Sequence, residues 1–165
     1  MTLEAAVNGL PRVFEEFKEA IKLETETIAM VGYAKIKDRI QETGKDSNDQ
    51  PWKPYTKEYQ KFKTDAGKYS GKVDLTLNNR MLNNIGIVES KINDTLAVVV
   101  ISGRSAETNL KLEGNEKKRP GILKVSKKEE TVLQEDFVAD MEEQIKIIMV
   151  DYLWTTKKNM QQISN

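Results

Sequence analysis

The chain has no cysteine and no histidine. Thiol nucleophiles, Cys/His zinc fingers, haem ligation through imidazole and Ser-His-Asp triads are therefore excluded. A lack of cysteine fits a reducing compartment. Charge of one sign is also missing: 26 Lys and Arg balance 26 Asp and Glu. Zero net charge argues against a chain-wide grip on DNA, RNA or anionic lipid and leaves room only for a local basic patch. The longest apolar run, Leu96 to Ile101, falls well short of the about 20 residues a membrane span needs, so no membrane partner is expected and the chain reads as soluble. Glu4 comes early and no basic stretch precedes an apolar one, so a signal peptide is not expected.

What is present is enough for one domain. The 165 residues are 38% apolar, which suffices to close a core. A domain of this size buries roughly 70% of its unfolded surface, so no metal or disulfide is required for stability. Leu3, Val7, Leu10, Phe14, Phe17, Ile21, Ile28 and Val31 recur in steps of four and three, apart from one seven-residue gap at Glu24. They share one helical face. Asn8-Gly9 reads as a breaker and Pro11 as a first-turn proline, which predicts a short N-terminal element and then a long helix over 11–42, ended by Gly44. Its stripe is core packing or, given its length, an oligomer seam.

Residues 45–72 read as a polar loop followed by a short helix opened by Pro54. Trp52, Tyr55, Tyr59 and Phe62 share a face of that helix, with Lys53, Lys57, Lys61 and Lys63 between them, and Ala66-Gly67 and Ser70-Gly71 mark a flexible stretch. Val73 to Leu77 is a short strand or a helix lead-in, and Arg80 to Ile85 a helical turn. Ile85 to Lys91 and Thr95 to Ser102 form a β-hairpin around Asn93-Asp94. Leu96 to Ile101 is apolar on both faces, which predicts cover on both sides. Gly103 to Arg119 reads as an irregular polar loop, and Ile122 to Val125 as a further strand. Ser126 and Glu129 form a capping box that opens a second long helix over 126–158, with Leu133, Phe137, Met141, Ile145, Ile148 and Tyr152 at helical spacing; its tail from Thr155 is expected to fray. The fold class that results is α+β: a small antiparallel sheet with a β-hairpin, packed by long N-terminal and C-terminal helices, in a single domain over 1–165.

Candidate chemistry is sparse. Asp46-Ser47-Asn48-Asp49-Gln50 has oxygens in a calcium-loop rhythm, but Pro51 and Lys57 stand where such a loop needs Gly and Glu, so a turn is the better reading. The Trp52–Tyr69 segment interleaves aromatics and lysines as a single-strand binder does; helical spacing favours aromatics facing the core and lysines facing water. The carboxylate pairs Glu15-Glu16, Glu129-Glu130 and Glu142-Glu143 sit on adjacent helical positions that diverge by about 100° and do not converge on one atom. No glycine-rich phosphate loop and no GxSxG is present. No enzyme activity, cofactor or metal is expected.

The order of features is nonetheless specific. A long helix ends in Ile40-Gln41-Glu42-Thr43-Gly44. A turn leads to Gln50-Pro51-Trp52-Lys53-Pro54-Tyr55. The run from Val73 to Ile85 (VDLTLNNRMLNNI), a hairpin and an Arg119-Pro120 break precede the terminal helix. Over residues 34–153 this resembles the phage virion morphogenesis family, the minor tail or tail-completion proteins of long-tailed phages. That family shows a Gly-x-x-Trp-x-Pro-Leu turn, a Thr-Gly-x-Leu-x-x-Ser-Ile signature and an Arg-Pro-Phe-Leu-Gly-like segment. Here Asp49 stands at the first Gly, Asn78-Asn79 at the Thr-Gly place, Asn84 at the Ser, and Arg119-Pro120-Gly121-Ile122-Leu123 lacks the Phe.

The resemblance implies a structural role at the head-tail junction (the neck) or the proximal tail end, in the virion after assembly in the host cytoplasm. It implies a homo-oligomeric ring around the DNA channel, contacts with other neck, connector or tail proteins, and incidental contact with packaged DNA. Under it, Trp52, Pro54 and Tyr55 fix the loop-to-helix turn against the core. Leu75, Met81, Leu82 and Ile85 anchor the signature segment under the sheet, Arg119 supplies a buried or interfacial salt bridge, and Pro120 sets the break. Gly103 to Arg119 and Lys63 to Lys72 are expected to order only on docking. The alternative reading is a non-enzymatic assembly chaperone or a single-stranded nucleic-acid module using residues 52–69.

Overall fold

A computed structural model describes residues 3–76, 80–93 and 96–163 of the chain. The 36-residue helix α1 (Leu3–Asp38) is its spine, about 54 Å long at 1.5 Å per residue. It runs unbroken through Asn8-Gly9 and Pro11, so neither a separate N-terminal element nor a helix start at Pro11 is formed. The reason is packing. A Cβ at Gly9 would lie 2.7 Å from the ring of Tyr152 on the C-terminal helix, so the missing side chain admits that helix closely. The contact outweighs the roughly 1 kcal/mol that glycine costs a helix.

A π-helical turn, Arg39–Thr43, extends α1 and stops at Gly44, whose φ of 66° and N–H donated to the Ile40 carbonyl make the expected C-cap. The loop that follows folds back on itself. Asp46 Oδ1 accepts the N–H groups of Asn48 and Gln50, and Trp52 N–H returns to the Gly44 carbonyl. The Asp46 carboxylate is thus spent on a turn.

Helix α2 (Lys57–Asp65) begins at Lys57, capped by Thr56, and not at Pro54. Residues 73–76 form no regular element, and Leu77, Asn78 and Asn79 of the signature lie outside the described residues. A single turn, α3 (Arg80–Asn83), feeds the antiparallel pair β1 (Ile85–Ile92) and β2 (Ala97–Gly103), with a bulge between Ile87 and Glu89. At the hairpin tip Asn93 N–H donates to the Leu96 carbonyl and Leu96 N–H donates to the Asn93 side-chain Oδ1; Asp94 and Thr95 lie outside the described residues.

Two stretches depart from the sequence expectation. The supposed loop after β2 is helix α4 (Ala106–Lys118), capped by the Ser105 hydroxyl and seated by Leu112 in the core. Ile122 to Val125 is no strand: a turn held by the Glu116 carboxylate on the N–H groups of Gly121 and Ile122 leads into a short irregular linker. Helix α5 (Lys127–Ile163) then starts on the expected capping box. The Ser126 hydroxyl accepts from Glu129 N–H, and the Glu129 carboxylate accepts from Ser126 N–H. It continues past Thr155 as helix.

Helix α1 separates the hairpin from α5. The helices run antiparallel: Arg12 meets Asp151, Gly32 meets Leu133, and Arg39 meets Glu129. The core lies at the C-terminal end of α1. Tyr33, Met81, Leu82, Ile85 and Leu112 form one cluster and Ile36, Ile40 and Ile122 another, joined by Leu75 and Leu123. The anticipated α1 stripe is only partly buried. Of its described members Phe17, Ile21, Ile28 and Val31 are half-buried and Leu10 and Phe14 are exposed, whereas the buried hydrophobic residues of α1 and the π-helical turn, Val13, Tyr33, Ile36 and Ile40, lie off the stripe. Among the described residues the sheet has two strands and none covers its outer face, so Val98 and Val100 are exposed opposite Lys91 and Glu89. The expectation of cover on both sides of β2 is not met.

Candidate functional site

Of the residues marked by the sequence, Leu75 and Arg119 meet Tyr55, and Pro54 and Met81 line a cleft beside it, in an arrangement that periodicity does not show. Trp52 and Tyr55 precede α2 and so do not share its face. Trp52 is buried, with no acceptor for its indole Nε1–H, and Pro54 is exposed. On α2 the amphipathic pattern is inverted: Tyr59 and Phe62 are exposed, and Lys63 is fully buried (0% exposed). Lys63 Nζ donates to Asp74, which also accepts from the Ser70 hydroxyl at 2.7 Å, Thr76 N–H at 3.0 Å and the Tyr55 hydroxyl at 3.3 Å. Burial pushes the Asp74 carboxyl up, but these donors outweigh it and leave its pKa below the ordinary value. Tyr55 Oη in turn accepts Leu75 N–H at 2.9 Å, and burial raises the Tyr55 pKa to about 12. Leu75 is held at φ 53°, a costly conformation for a bulky side chain.

Met81, Leu82 and Ile85 are buried together as anticipated, and Leu75 packs on both core clusters. The Tyr33 hydroxyl donates to the Leu82 carbonyl and fastens α3 to α1. Arg119 is buried but makes no salt bridge among the described residues. Its guanidinium lies 5.3 Å from the Tyr55 ring centroid, one nitrogen reaches Asn115 Oδ1 at 3.4 Å, and Nε has no acceptor. Pro120 is exposed in the following turn. The part-buried arginine pair is Arg39 with Glu129 at 2.9 Å; Arg39 also donates to the carbonyls of Lys45 and Lys124. Burial pushes the Glu129 carboxyl up, and its bonds to Arg39 and Ser126 bring it below the ordinary value. Arg39 joins three segments, which nothing in its own neighbourhood of the sequence signals.

Two surfaces remain. One is a cleft of about 820 Å³ between the start of α2, α3 and the end of α4. Lys53, Arg80, Lys111, Lys117, Lys118 and Arg119 line it together with Tyr55 and Tyr59, and no carboxylate is among the described lining residues. The sequence reading missed its α4 side. Lys111 and Lys118 stand seven residues apart, on one helical face, once Ser105 is seen as an N-cap. The other surface is the C-terminal half of α5. Ile145, Ile147, Met149, Val150, Leu153 and Trp154 are all exposed there, Val150 to 66% and Trp154 to 68%, while Ile148 between them is buried.

Among the described residues no group of three Asp or Glu side chains could hold a metal ion, and no helix is long and apolar enough to cross a membrane. No family model, curated protein or solved structure matches the chain.

Proposed function

We propose that the chain is a structural virion protein of a long-tailed phage, working at the head-tail junction or the proximal tail end. Its copies join into a ring around the DNA channel, which completes the tail or links it to the capsid alongside other neck, connector and tail proteins.

The observation that carries the assembly part is the stretch 145–154 of α5. A helix apolar all round belongs inside a protein, yet this one contacts α1 on one side only and leaves six large apolar side chains to solvent. The occupant we assign is a second copy of the chain. A groove of about 590 Å³ lined by Phe14, Phe17, Ile21, Ile92, Leu96 and Ala97, with Lys18 and Asn93 as its polar members, opens between α1 and the hairpin tip and offers a mainly apolar receptor for such a ridge. When the ridge of one copy enters the groove of the next without the reciprocal contact, the pairing is heterologous and closes into a ring if the rotation permits. Balanced surface charge supplies the polar rim.

Placement in the neck is supported by the order of sequence features, from the Trp52 turn to the Arg119-Pro120 break, in a chain of α+β architecture. Quantitative mass spectrometry of purified virions, counting this chain against the portal subunit, tests it. A fixed multiple-copy ratio to the portal is expected. Absence from the particle overturns the placement.

A further inference from the structure

In a chain with no net charge, six cationic side chains gather on one cleft with no carboxylate among its described lining residues. Part of this has a local cause: Lys117 and Lys118 complement the C-terminal dipole of α4, and Lys111 pairs with Glu107 one turn earlier. Those causes do not reach Lys53, which comes from the lead-in to α2, nor Arg119. Arg119 is more than nine-tenths buried in the cleft wall and its Nε–H has no acceptor. That nitrogen is closed to solvent, so an anion in the cleft would meet the terminal guanidinium nitrogens instead, of which one makes only a long bond of 3.4 Å to Asn115 Oδ1. At about 820 Å³ the cleft is larger than a bare phosphate needs and falls in the range of small-molecule sites. Two of its other lining residues, Tyr55 and Tyr59, are aromatic, beside Pro54, Thr56, Leu75, Met81 and Asn115. The exposed Tyr59 ring, braced edge-on by Tyr55 at a centroid distance of 4.9 Å, presents a flat platform beside the cations.

We infer that this cleft binds a nucleotide, with its phosphate on Arg119 and the Lys53, Lys117 and Lys118 rim and its base stacked on Tyr59. Arginine suits the enclosed position because its planar fork keeps its charge and matches phosphate oxygens, while the exposed lysines act as point charges on the approach. Aromatic stacking accepts any base, so recognition is of the nucleotide unit rather than of a sequence. The strained Leu75 backbone, held by the Tyr55 hydroxyl, borders the same cleft and fixes the position of that ring.

The unit has two sources, a free nucleotide or one residue of a single strand. Fluorescence anisotropy of a short labelled oligothymidylate at low salt, with AMP as competitor, separates them. Displacement by AMP assigns a free-nucleotide site, and binding that AMP does not displace assigns a strand; either supports the cleft. Lys117→Gln with Lys118→Gln, both exposed, should weaken strand binding and flatten its salt slope by about 1 per lysine removed. Tyr59→Ala should weaken binding several-fold and leave the slope unchanged. No binding of strand or AMP at low salt overturns the inference. So does binding indifferent to Tyr59→Ala, which would mark a general anion patch. The inference is independent of self-assembly, so an assembly-defective protein carrying Val150→Glu and Trp154→Glu should bind equally well.

Discussion

Lys63 stands where helical periodicity sends a lysine to water, and it is fully buried against Asp74 instead. Its partner lies eleven residues along the chain, across two glycine turns, so no local pattern announces the pair. Breaking such a pair leaves an uncompensated buried charge. Lys63→Met is expected to destabilise by about 3 kcal/mol or more in chemical denaturation. Because the Asp74 pKa lies below its ordinary 3.8 in the fold, its contribution is complete above that value and lost as pH falls through the folded value. The wild type should therefore lose stability at acid pH more steeply than an Asp74→Asn variant. Trp52, by contrast, was legible: a tryptophan in a turn against a helix end is buried to 8% exposure. Trp52→Ala should cost about 3–5 kcal/mol. Trp52→Phe should cost clearly less, since the indole Nε1–H has no acceptor to lose. Arg119 was legible as buried and not in its partner, because an aromatic face and an asparagine replace the expected carboxylate.

At the scale of elements, long periodic patterns were readable and short polar ones were not. The 3.6-residue repeat and the capping box at Ser126 locate α5, and the alternation around Asn93 locates the hairpin. Helix α4 escaped because Gly114 and a charged, weakly amphipathic sequence hide its period; its signals are the Ser105 cap and Leu112. The breaks expected at Gly9 and Pro11 failed because contact with α5, distant in sequence, decides that segment. The α1–α5 seam also contains an electrostatic conflict. Burial raises the Glu24 carboxyl pKa above its ordinary 4.5, and Asp140 on α5 raises it further by charge and hydrogen bonding. Glu24 Oε1 is buried with no hydrogen-bond partner. A raised carboxyl costs the fold stability at neutral pH, and that cost vanishes as pH falls through the folded value towards 4.5. Glu24→Gln should thus raise Tm at neutral pH, with the gain shrinking on acidification; a lower Tm at neutral pH would contradict the conflict.

At the scale of the whole molecule, the core occupies one end of α1 and the rest of α1 and α5 projects from it as a two-helix arm flanked by the hairpin. The α+β outline follows from patterning alone. The apolar girdle at 145–154 does not, because periodicity identifies the Ile145, Ile148 and Tyr152 face as core and is silent about Ile147, Val150 and Trp154 around it. Only the folded chain shows that one side of that helix is used and the remainder is left open. A solvent-exposed Val150 or Trp154 is not needed for folding, so Val150→Glu and Trp154→Glu should change unfolding stability by about 0.5 kcal/mol or less each while together abolishing association.

The mass of the particle in solution tests self-assembly most directly. Sedimentation velocity of the 18.8 kDa chain across a concentration series should give a discrete multimer, which the Val150→Glu, Trp154→Glu protein reduces to monomer. A wild-type chain that remains monomeric throughout the series would contradict it.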